Sequence, residues 1–366
     1  MMSNNLNIKI AGRSIGSNYR PYVIAEMSAN HNGNIDRAFK IIDEAKKAGA
    51  DAVKLQTYTP DTITLNCDKE DFQIRDGLWK GQTLYELYKD AHMPWDWHKP
   101  LFEHARKVDI TIFSSPFDES AVDLLEDLNT PAYKIASFET VDLRLIDYVA
   151  RTGKPMIIST GMASEDEIRE AVDTARAGGC LELALLTCVS SYPALASDYN
   201  LSRIADMRER FQTVVGLSDH TINNTCAIGS IMLGGCIIEK HFTLDRNGGG
   251  ADDSFSLEPN DMSDLCVSSL AAWQSIGKPD YGLKSSETNN AQYRRSLYFV
   301  KSLKQGDIIE IDDIRSVRPG FGLPTKMFDS VLGSQVTCNV SYGDPVRLAD
   351  ISMKLDISEV NPNKDY

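Results

Sequence analysis

Two histidines stand at matching positions in the chain, each at the end of a short apolar run. His220 follows VVGLSD and His241 follows IIEK. Neighbouring strands lie about 4.8 Å apart, so two imidazoles at equivalent heights can contact one ion. Glu26, at another predicted strand end, and Asp252, in the loop after the last predicted strand, add carboxylates. Imidazole, carboxylate and water suit a divalent ion such as Mn²⁺, with Mg²⁺ or Co²⁺ as alternatives. We therefore predict that His220 and His241 are metal ligands.

Two lysines lie within predicted strands rather than in loops, Lys54 in VKLQ and Lys134 in YKIAS. Lysine is rarely buried without a partner, so the plain alternative is that both side chains reach solvent. Polar residues also end the other strands. The polar strand-end residues are Glu26, Lys54, Gln56, Ser115, Lys134, Ser137, Glu139, Ser159, Thr160, Ser190, Tyr192, Ser218, His220, Glu239 and His241. Lysines and hydroxyls that converge on one opening would bind phosphate or carboxylate through charge-assisted hydrogen bonds.

The elements that would position these residues alternate between strands and helices. Short apolar runs, typical of buried parallel strands, alternate with amphipathic segments such as the one that begins with a capping box at Ser164 and Glu167. The predicted strands begin at Pro21, Asp51, Ile110, Ala132, Pro155, Leu183, Val214 and Ile237. Eight βα units favour an α/β fold, the (β/α)8 or TIM barrel, whose active site lies at the carboxyl ends of the strands. An open doubly wound sheet normally shows a glycine-rich fingerprint, which is absent from this sequence.

Two segments depart from this alternation. Residues 58–98 form a connection far longer than usual, and such a connection predicts a lid over the barrel opening. After the last strand, Gly248 to Gly250 predict a tight turn that carries Asp252 back toward the opening. We expect Asp245 and Asp253 in the same segment to be solvated loop charges.

The chain divides into a barrel at residues 1–280, a linker at 281–292, a small β-rich domain at 293–353 and a disordered tail at 354–366. The formal net charge is -14 with no long basic run, so nucleic acid is not an expected partner. The longest run without charge is too short to cross a membrane. Seven scattered cysteines and a start without an apolar leader predict a protein of the reducing cytoplasm.

Several motifs together resemble the sialic acid synthase family, and the resemblance covers about residues 20 to 350. The motifs are IAEMSANHNG, VKLQ, YKIASFE, STGM, GLSDHT and EKHFT, followed by RPG in the small domain. Members of this family join a TIM barrel to an antifreeze-like (SAF, β-clip) domain, and they condense phosphoenolpyruvate with a sugar that has a free aldehyde. The resemblance therefore implies a C–C bond-forming transferase.

The resemblance also implies roles for individual residues. Phosphoenolpyruvate would be bound by Lys54, Ser115, Lys134, Ser137, Ser159 and Ser218. The sugar would be bound by Gln56, Tyr192, Asp252 and Arg318, the metal by His220 and His241, and the catalytic carboxyls would be Glu26, Glu139 and Glu239. Ser115 replaces a threonine of related enzymes and keeps the hydroxyl. Arg318, in VRPGFG, matches an arginine that the small domain extends into the active site of another subunit, which implies a domain-swapped homodimer.

The long loop indicates which sugar is used. GLWKGQTLYELYKDAHMPWDWH most resembles members that make pseudaminic acid from 2,4-diacetamido-2,4,6-trideoxy-L-altrose, a 6-deoxy diacetamido hexose. Ser190 stands where the N-acetylneuraminate enzymes have asparagine, which counts against N-acetylmannosamine. Synthesis of legionaminic acid or N-acetylneuraminate is the alternative. Two alternatives come from other functional classes. The protein could be a barrel aldolase that uses a Schiff-base lysine, or a non-enzymatic protein that binds ice or glycan.

Overall fold

The computed structural model describes residues 6–352. The chain forms two compact units, Met1–Gly277 and Lys278–Tyr366. The disordered tail predicted at 354–366 lies outside the described residues.

The first unit begins with a hairpin that was not predicted from the sequence. Strands β1 (Asn7–Ile10) and β2 (Arg13–Gly16) pair antiparallel. Ile8, Ile10 and Ile15 are buried among barrel residues at or near the strand starts, such as Phe113 and Ile157. The hairpin therefore closes the amino-terminal end of the barrel.

Eight of the described strands form a closed parallel barrel, which confirms the predicted fold. These strands are β3 (Tyr22–Glu26), β4 (Ala52–Thr57), β5 (Thr111–Pro116), β6 (Tyr133–Ile135), β7 (Met156–Ser159), β8 (Leu183–Cys188), β9 (Val214–Asp219) and β10 (Ile237–His241). Strand β10 pairs with β9 on one side and with β3 on the other, which closes the circle. In this register His241 lies beside Glu26, and Glu26 lies beside Lys54, so the predicted site residues share one level.

Helices cover the outside of the barrel, because their apolar faces pack on the buried strands. They are α1 (Ile35–Ala48), α4 (Trp95–Lys107), α5 (Glu119–Asp127), α6 (Leu143–Ala150), α7 (Glu165–Ala177), α8 (Arg203–Phe211), α9 (Thr225–Met232) and α10 (Pro259–Ile276), whereas α2 (Pro60–Ile63) and α3 (Leu84–Ala91) lie in the connection after β4. The capping box predicted at Ser164 and Glu167 begins α7. A second capping box, Thr83 with Glu86, begins α3. The predicted lid at 58–98 therefore contains its own helices, and α4 begins inside the predicted loop.

The second unit has a separate core of residues such as Leu297, Phe299 and Val346. Its regular elements are β11 (Ser296–Phe299), β12 (Ile314–Val317), α11 (Phe328–Val331), β13 (Gln335–Val336) and β14 (Ile351–Ser352). Arg318 follows β12 directly.

All seven cysteines of the chain lie in the described residues, and all are free thiols. Within residues 6–352 no helix combines the length and the apolar character that a membrane span requires.

Candidate active site

Four charged side chains are buried together at the carboxyl ends of the barrel strands. Lys54 Nζ lies 2.7 Å from Glu26 Oε2 and 3.6 Å from Glu239 Oε1. Lys134 Nζ lies 3.7 Å from the same oxygen of Glu239. Each of these four residues is at most 5% exposed. Both lysines are therefore interior groups, and the alternative that they reach solvent is wrong.

The two carboxyls of this cluster have different proton affinities. Burial raises the pKa of Glu26 to about 7, although its ion pair with Lys54 opposes the rise. Burial also opposes ionisation of Glu239, but Lys134 and Lys54 together hold the pKa of this carboxyl below its usual value. Because such a separation assigns different roles to neighbouring acids, Glu239 can serve as a fixed anion while Glu26 exchanges a proton near neutral pH.

The lysines themselves also differ. Burial opposes the charged form of Lys54, but the two carboxylates that face it raise its pKa. Burial lowers the pKa of Lys134. Hydroxyl groups complete this side of the opening: Lys54 donates to Ser115 Oγ at 3.2 Å, and Ser218 Oγ donates to Glu239 at 3.4 Å.

Gln56 connects this cluster to the other side of the opening. Its Nε2 donates to Glu26 at 2.9 Å and to Ser28 Oγ at 3.0 Å. Ser28 in turn donates to Asp252 Oδ2 at 2.5 Å. Burial raises the pKa of Asp252, and the bond from Ser28 opposes the rise. Ser28 was not among the predicted site residues, although it follows the strand-end Glu26 by only two residues within IAEMSANHNG.

The structure brings His220 and His241 together, with their ring centroids 5.4 Å apart in an edge-to-face arrangement. His220 Nδ1 lies 2.7 Å from the carbonyl oxygen of Val189, so this N–H donates to the carbonyl and Nε2 is the ring nitrogen left to face the opening. His241 Nδ1 is buried without a hydrogen-bond partner among residues 6–352, and Asp252 Oδ2 lies 3.9 Å away. Burial, followed by the neighbouring His220, lowers the pKa of His241 well below its usual value.

These observations fit a divalent ion with an open coordination shell. Imidazoles bind metals in the neutral form, and a carbonyl that accepts from the other ring nitrogen typically fixes the ring, as Val189 does for His220. In the part of the chain that the structure describes, no group of three or more His, Cys, Asp and Glu residues is arranged to hold an ion. The protein would therefore contribute two imidazoles, and water or substrate would supply the other ligands.

Aromatic side chains line the opening beside the two histidines. The ring of Tyr192 lies 4.4 Å from that of His220 and 5.3 Å from that of Phe255, measured between centroids. Trp79 reaches the same place from the predicted lid, 6.1 Å from Tyr192, and its Nε1 donates to the carbonyl of Ala251 at 3.3 Å. The connection after β4 therefore extends over the histidine side of the opening.

The remaining predicted site residues have fewer partners. Ser137 Oγ accepts a hydrogen bond from the backbone of Gly161 at 3.2 Å. Ser159 Oγ and Glu139 Oε2 are buried and have no hydrogen-bond partner among the described residues. Arg318 belongs to the second unit.

The two acids expected to be solvated differ from each other. The prediction that Asp253 is solvated is wrong, because its side chain is buried at the base of the glycine turn. Asp245 is exposed, in agreement with its prediction.

Comparison with known proteins identifies the family. The NeuB family model matches residues 41–281, and the SAF domain model matches residues 294–352. The chain belongs to the NeuB family.

Relatives of this NeuB-family chain include pseudaminic acid synthase of Campylobacter jejuni, which is 40% identical over 90% of this chain and 96% of its own. N,N'-diacetyllegionaminic acid synthase of Legionella pneumophila is 34% identical over 92% of this chain and 96% of its own. A crystal structure of N-acetylneuraminic acid synthetase from Leptospira borgpetersenii matches with a TM-score of 0.70 and 29% identity, over 78% of this chain and 95% of that one. This NeuB-family chain is an enzyme of the nonulosonic acid synthase class.

Proposed function

We propose that this protein is a pseudaminic acid synthase, which condenses phosphoenolpyruvate with 2,4-diacetamido-2,4,6-trideoxy-L-altrose to give pseudaminic acid and phosphate. The observation that carries the proposal is that, over nearly the whole chain, sequence identity is higher to pseudaminic acid synthase than to legionaminic acid synthase. Identity is 40% to the C. jejuni pseudaminic acid synthase and 34% to the L. pneumophila legionaminic acid synthase. Ser190, at the position of an asparagine in enzymes that use N-acetylmannosamine, supports a different sugar.

Phosphoenolpyruvate would bind at the buried lysine cluster. Its phosphate and carboxylate are acceptors, and Lys54, Lys134 and the nearby serine hydroxyls are donors of charge-assisted hydrogen bonds. Glu26 and Glu239 balance the two ammonium groups in the free protein. Since the pKa of Glu26 is about 7, this residue can take up a proton when an anion arrives beside it. The serines assigned to this role are Ser115, Ser137, Ser159 and Ser218.

The sugar aldehyde would lie at His220 and His241, with Gln56, Tyr192 and Asp252 along its hydroxyl and acetamido groups. A divalent ion bound by the two imidazoles, Mn²⁺ by preference, would supply Lewis-acid polarisation of the aldehyde carbonyl. Tyr192 packs against His220 and so limits access of water to this side. The protein thereby holds the two reactants face to face, which removes much of the entropic barrier.

In the reaction, the enol carbon of phosphoenolpyruvate attacks the aldehyde carbon and forms the new C–C bond, while the aldehyde oxygen takes up the electron pair of its carbonyl π bond and then a proton. Water adds to the electrophilic C2 and gives up its protons, and phosphate leaves with the electron pair of the C–O bond to C2, so that C2 becomes a ketone. The carboxyl that activates the water would be Glu26 or Glu139, because burial raises the pKa of each to about 7. A base with a pKa near the working pH is the most effective for such a proton transfer.

We also propose that the protein acts as a domain-swapped homodimer in which Arg318 of the partner subunit completes the sugar site. The loops that follow the barrel strands expose large apolar side chains, and such a patch is typical of an interaction surface. These exposed side chains are Leu65, Leu78, Phe138, Val141, Met162, Leu195 and Ile222. A second copy would cover this rim.

The decisive experiment offers the purified protein phosphoenolpyruvate together with each candidate aldehyde and measures phosphate release. The candidates are the L-altrose sugar, the legionaminic acid precursor and N-acetylmannosamine. Mass spectrometry then identifies the nine-carbon product. Fastest turnover with the L-altrose sugar is expected, and preference for another aldehyde would reassign the substrate. Trapping of Lys54 or Lys134 by borohydride would instead indicate a Schiff-base aldolase.

A further inference from the structure

The buried carboxylate of Asp253 lies at the centre of the glycine turn that follows β10. Its Oδ2 accepts hydrogen bonds from Asn32 Nδ2 at 2.9 Å and from the backbone N–H of Gly250 at 2.8 Å. Its Oδ1 accepts from Thr243 Oγ1 and from Arg37 Nη2, the latter at 3.3 Å. The side chain is 1% exposed. A buried carboxylate with this many donors is a fixed element of the structure rather than a solvated loop charge.

Arg37 extends the same network into the loop between β3 and α1. Its Nε donates to the carbonyl oxygen of Asn30 at 2.7 Å. Asn30 Nδ2 in turn donates to Ser256 Oγ at 2.8 Å and to the carbonyl oxygen of Phe242 at 2.9 Å. Two loops that are more than 200 residues apart in sequence are therefore tied through polar bonds at the same corner of the barrel.

Each of the three positions in the turn, 248 to 250, requires glycine for a physical reason. Gly249 alone has a positive φ, of 81°. A Cβ at Gly248 would lie 2.5 Å from Asp253 Oδ2, and a Cβ at Gly250 would overlap Asn32 Oδ1. Two of the three glycines are thus required by the approach of the Asp253 network, which indicates that the turn is built around this carboxylate.

The turn presents two groups to the opening. Asp252 accepts from Ser28 and lies 3.9 Å from His241 Nδ1. The carbonyl of Ala251 accepts the hydrogen bond of Trp79, the residue that reaches the turn from the lid. Both groups lie within two residues of Asp253, so a shift of its carboxylate moves them together.

We propose that Asp253 is a positioning residue for the sugar side of the site. Its carboxylate fixes the turn at residues 248–252, and the turn fixes Asp252 beside His241 and the carbonyl that anchors Trp79. The kinetic part of this inference rests on the proposed function. The lysine cluster that would bind phosphoenolpyruvate is linked to Asp252 through Gln56 and Ser28, two hydrogen-bonded side chains away, so its affinity should depend on Asp253 less than the affinity for the sugar does.

The test compares Asp253→Asn with Asp245→Asn, which makes the same change in the same loop at an exposed acid. Asp253→Asn is expected to raise KM for the sugar by roughly tenfold or more, because loss of a group that holds a ligand-binding residue in place has effects of this size. KM for phosphoenolpyruvate should change by a smaller factor. Asn32→Ala removes one donor from an exposed position and should have a smaller effect in the same direction, even if Asp253→Asn does not fold. Asp245→Asn should behave as the wild type.

A second measurement does not depend on turnover. The emission of Trp79 is obtained as the difference between each protein and the same protein with Trp79→Phe. This difference spectrum should shift in Asp253→Asn and Asn32→Ala, but not in Asp245→Asn. Folded variants that keep both the sugar KM and the Trp79 emission would overturn the proposal. If the wild type turns over none of the sugars, the proposed function fails, and the emission alone decides the role of Asp253.

Discussion

The ammonium of Lys240 lies 2.9 Å from the carboxylate of Asp219, and both side chains are about 1% exposed. Lys240 Nζ also donates to the carbonyl oxygens of Thr221 at 2.7 Å and Asn223 at 2.8 Å. This ion pair joins the ends of β9 and β10 on the side of the strands that faces away from the opening. His220 directly follows β9 and His241 ends β10, so each imidazole lies one residue beyond a member of this pair.

Replacement of Lys240 by methionine should destabilise the fold by about 3–5 kcal/mol, because Asp219 would remain buried without its cation. Chemical denaturation measures the free energy of unfolding. Arg151→Met is the matched control, since Arg151 forms an exposed helical ion pair with Asp147 and its loss should change stability little. Equal stability of Lys240→Met and the wild type would show that the pair is not needed to join the strands.

Replacement of His241 by alanine should abolish metal-dependent turnover while the fold persists, because one of the two proposed imidazole ligands is lost. Phosphate release is measured after chelation and again during titration with Mn²⁺, and circular dichroism checks the fold. His104→Ala is the control, since His104 pairs with Asp43 on the outer helices. Full activity of His241→Ala in the presence of chelator would remove the metal from the proposal.

Glu139 should make stability depend on pH. Burial raises its pKa in the folded protein to about 7, with smaller contributions from its own backbone N–H, Lys134, Asp142 and Lys54. The unfolded chain has the lower pKa, so the folded state binds the proton more tightly, and this contribution to stability is lost as pH rises from about 4.5 to 7.

Glu139→Gln should therefore be more stable than the wild type at pH 8 by about 1–3 kcal/mol, and equally stable at pH 4. Thermal unfolding across this pH range measures the difference. If Glu139 activates the water, the rate of the wild type should rise with pH through about 7 as this carboxyl loses its proton, and this rising limb of the pH–rate profile should disappear in Glu139→Gln. A persistent limb would assign that proton transfer to Glu26.

The domain-swapped dimer predicts complementation between two inactive variants. Arg318→Ala and His241→Ala should each lose activity, because each lacks one part of every site. After the two are mixed and their subunits exchange, half of the dimers carry one copy of each, and one of the two sites in such a dimer is intact. Activity should return to about a quarter of the wild-type level. No recovery after proven subunit exchange would place Arg318 in the site of its own subunit or outside it.

Much of the barrel could be predicted from the sequence, because its strands are continuous apolar runs that end in polar residues. Lys54 and Lys134 indicated the position of a polar site, because a lysine within a buried apolar run needs a charged partner. Their partners Glu26 and Glu239 also lie at strand ends and were identified. The positions of these residues at strand ends were enough to place them together, because parallel strands of a barrel place their ends at one level, while their roles came from the resemblance to a known family.

Residues whose role depends on distant partners could not be found in this way. Asp253 lies among glycines and acids, which is typical of a solvated loop, and its partners Asn32 and Arg37 are more than 200 residues away. The hairpin of β1 and β2 was missed because it precedes the alternation of strands and helices and forms a sheet of its own outside the barrel. The burial of its isoleucines could not be predicted without knowing that the hairpin packs on the end of the barrel.

The same hairpin limits how molecules can pass through the enzyme. Within the described part of the chain, Ile8, Ile10 and Ile15 fill the floor of the barrel and so block passage below. Reactants and products must then pass through the opening at the carboxyl ends of the strands, over which Trp79 extends. Because products leave through the same opening that admits the reactants, their departure can limit the rate even when bond formation is fast.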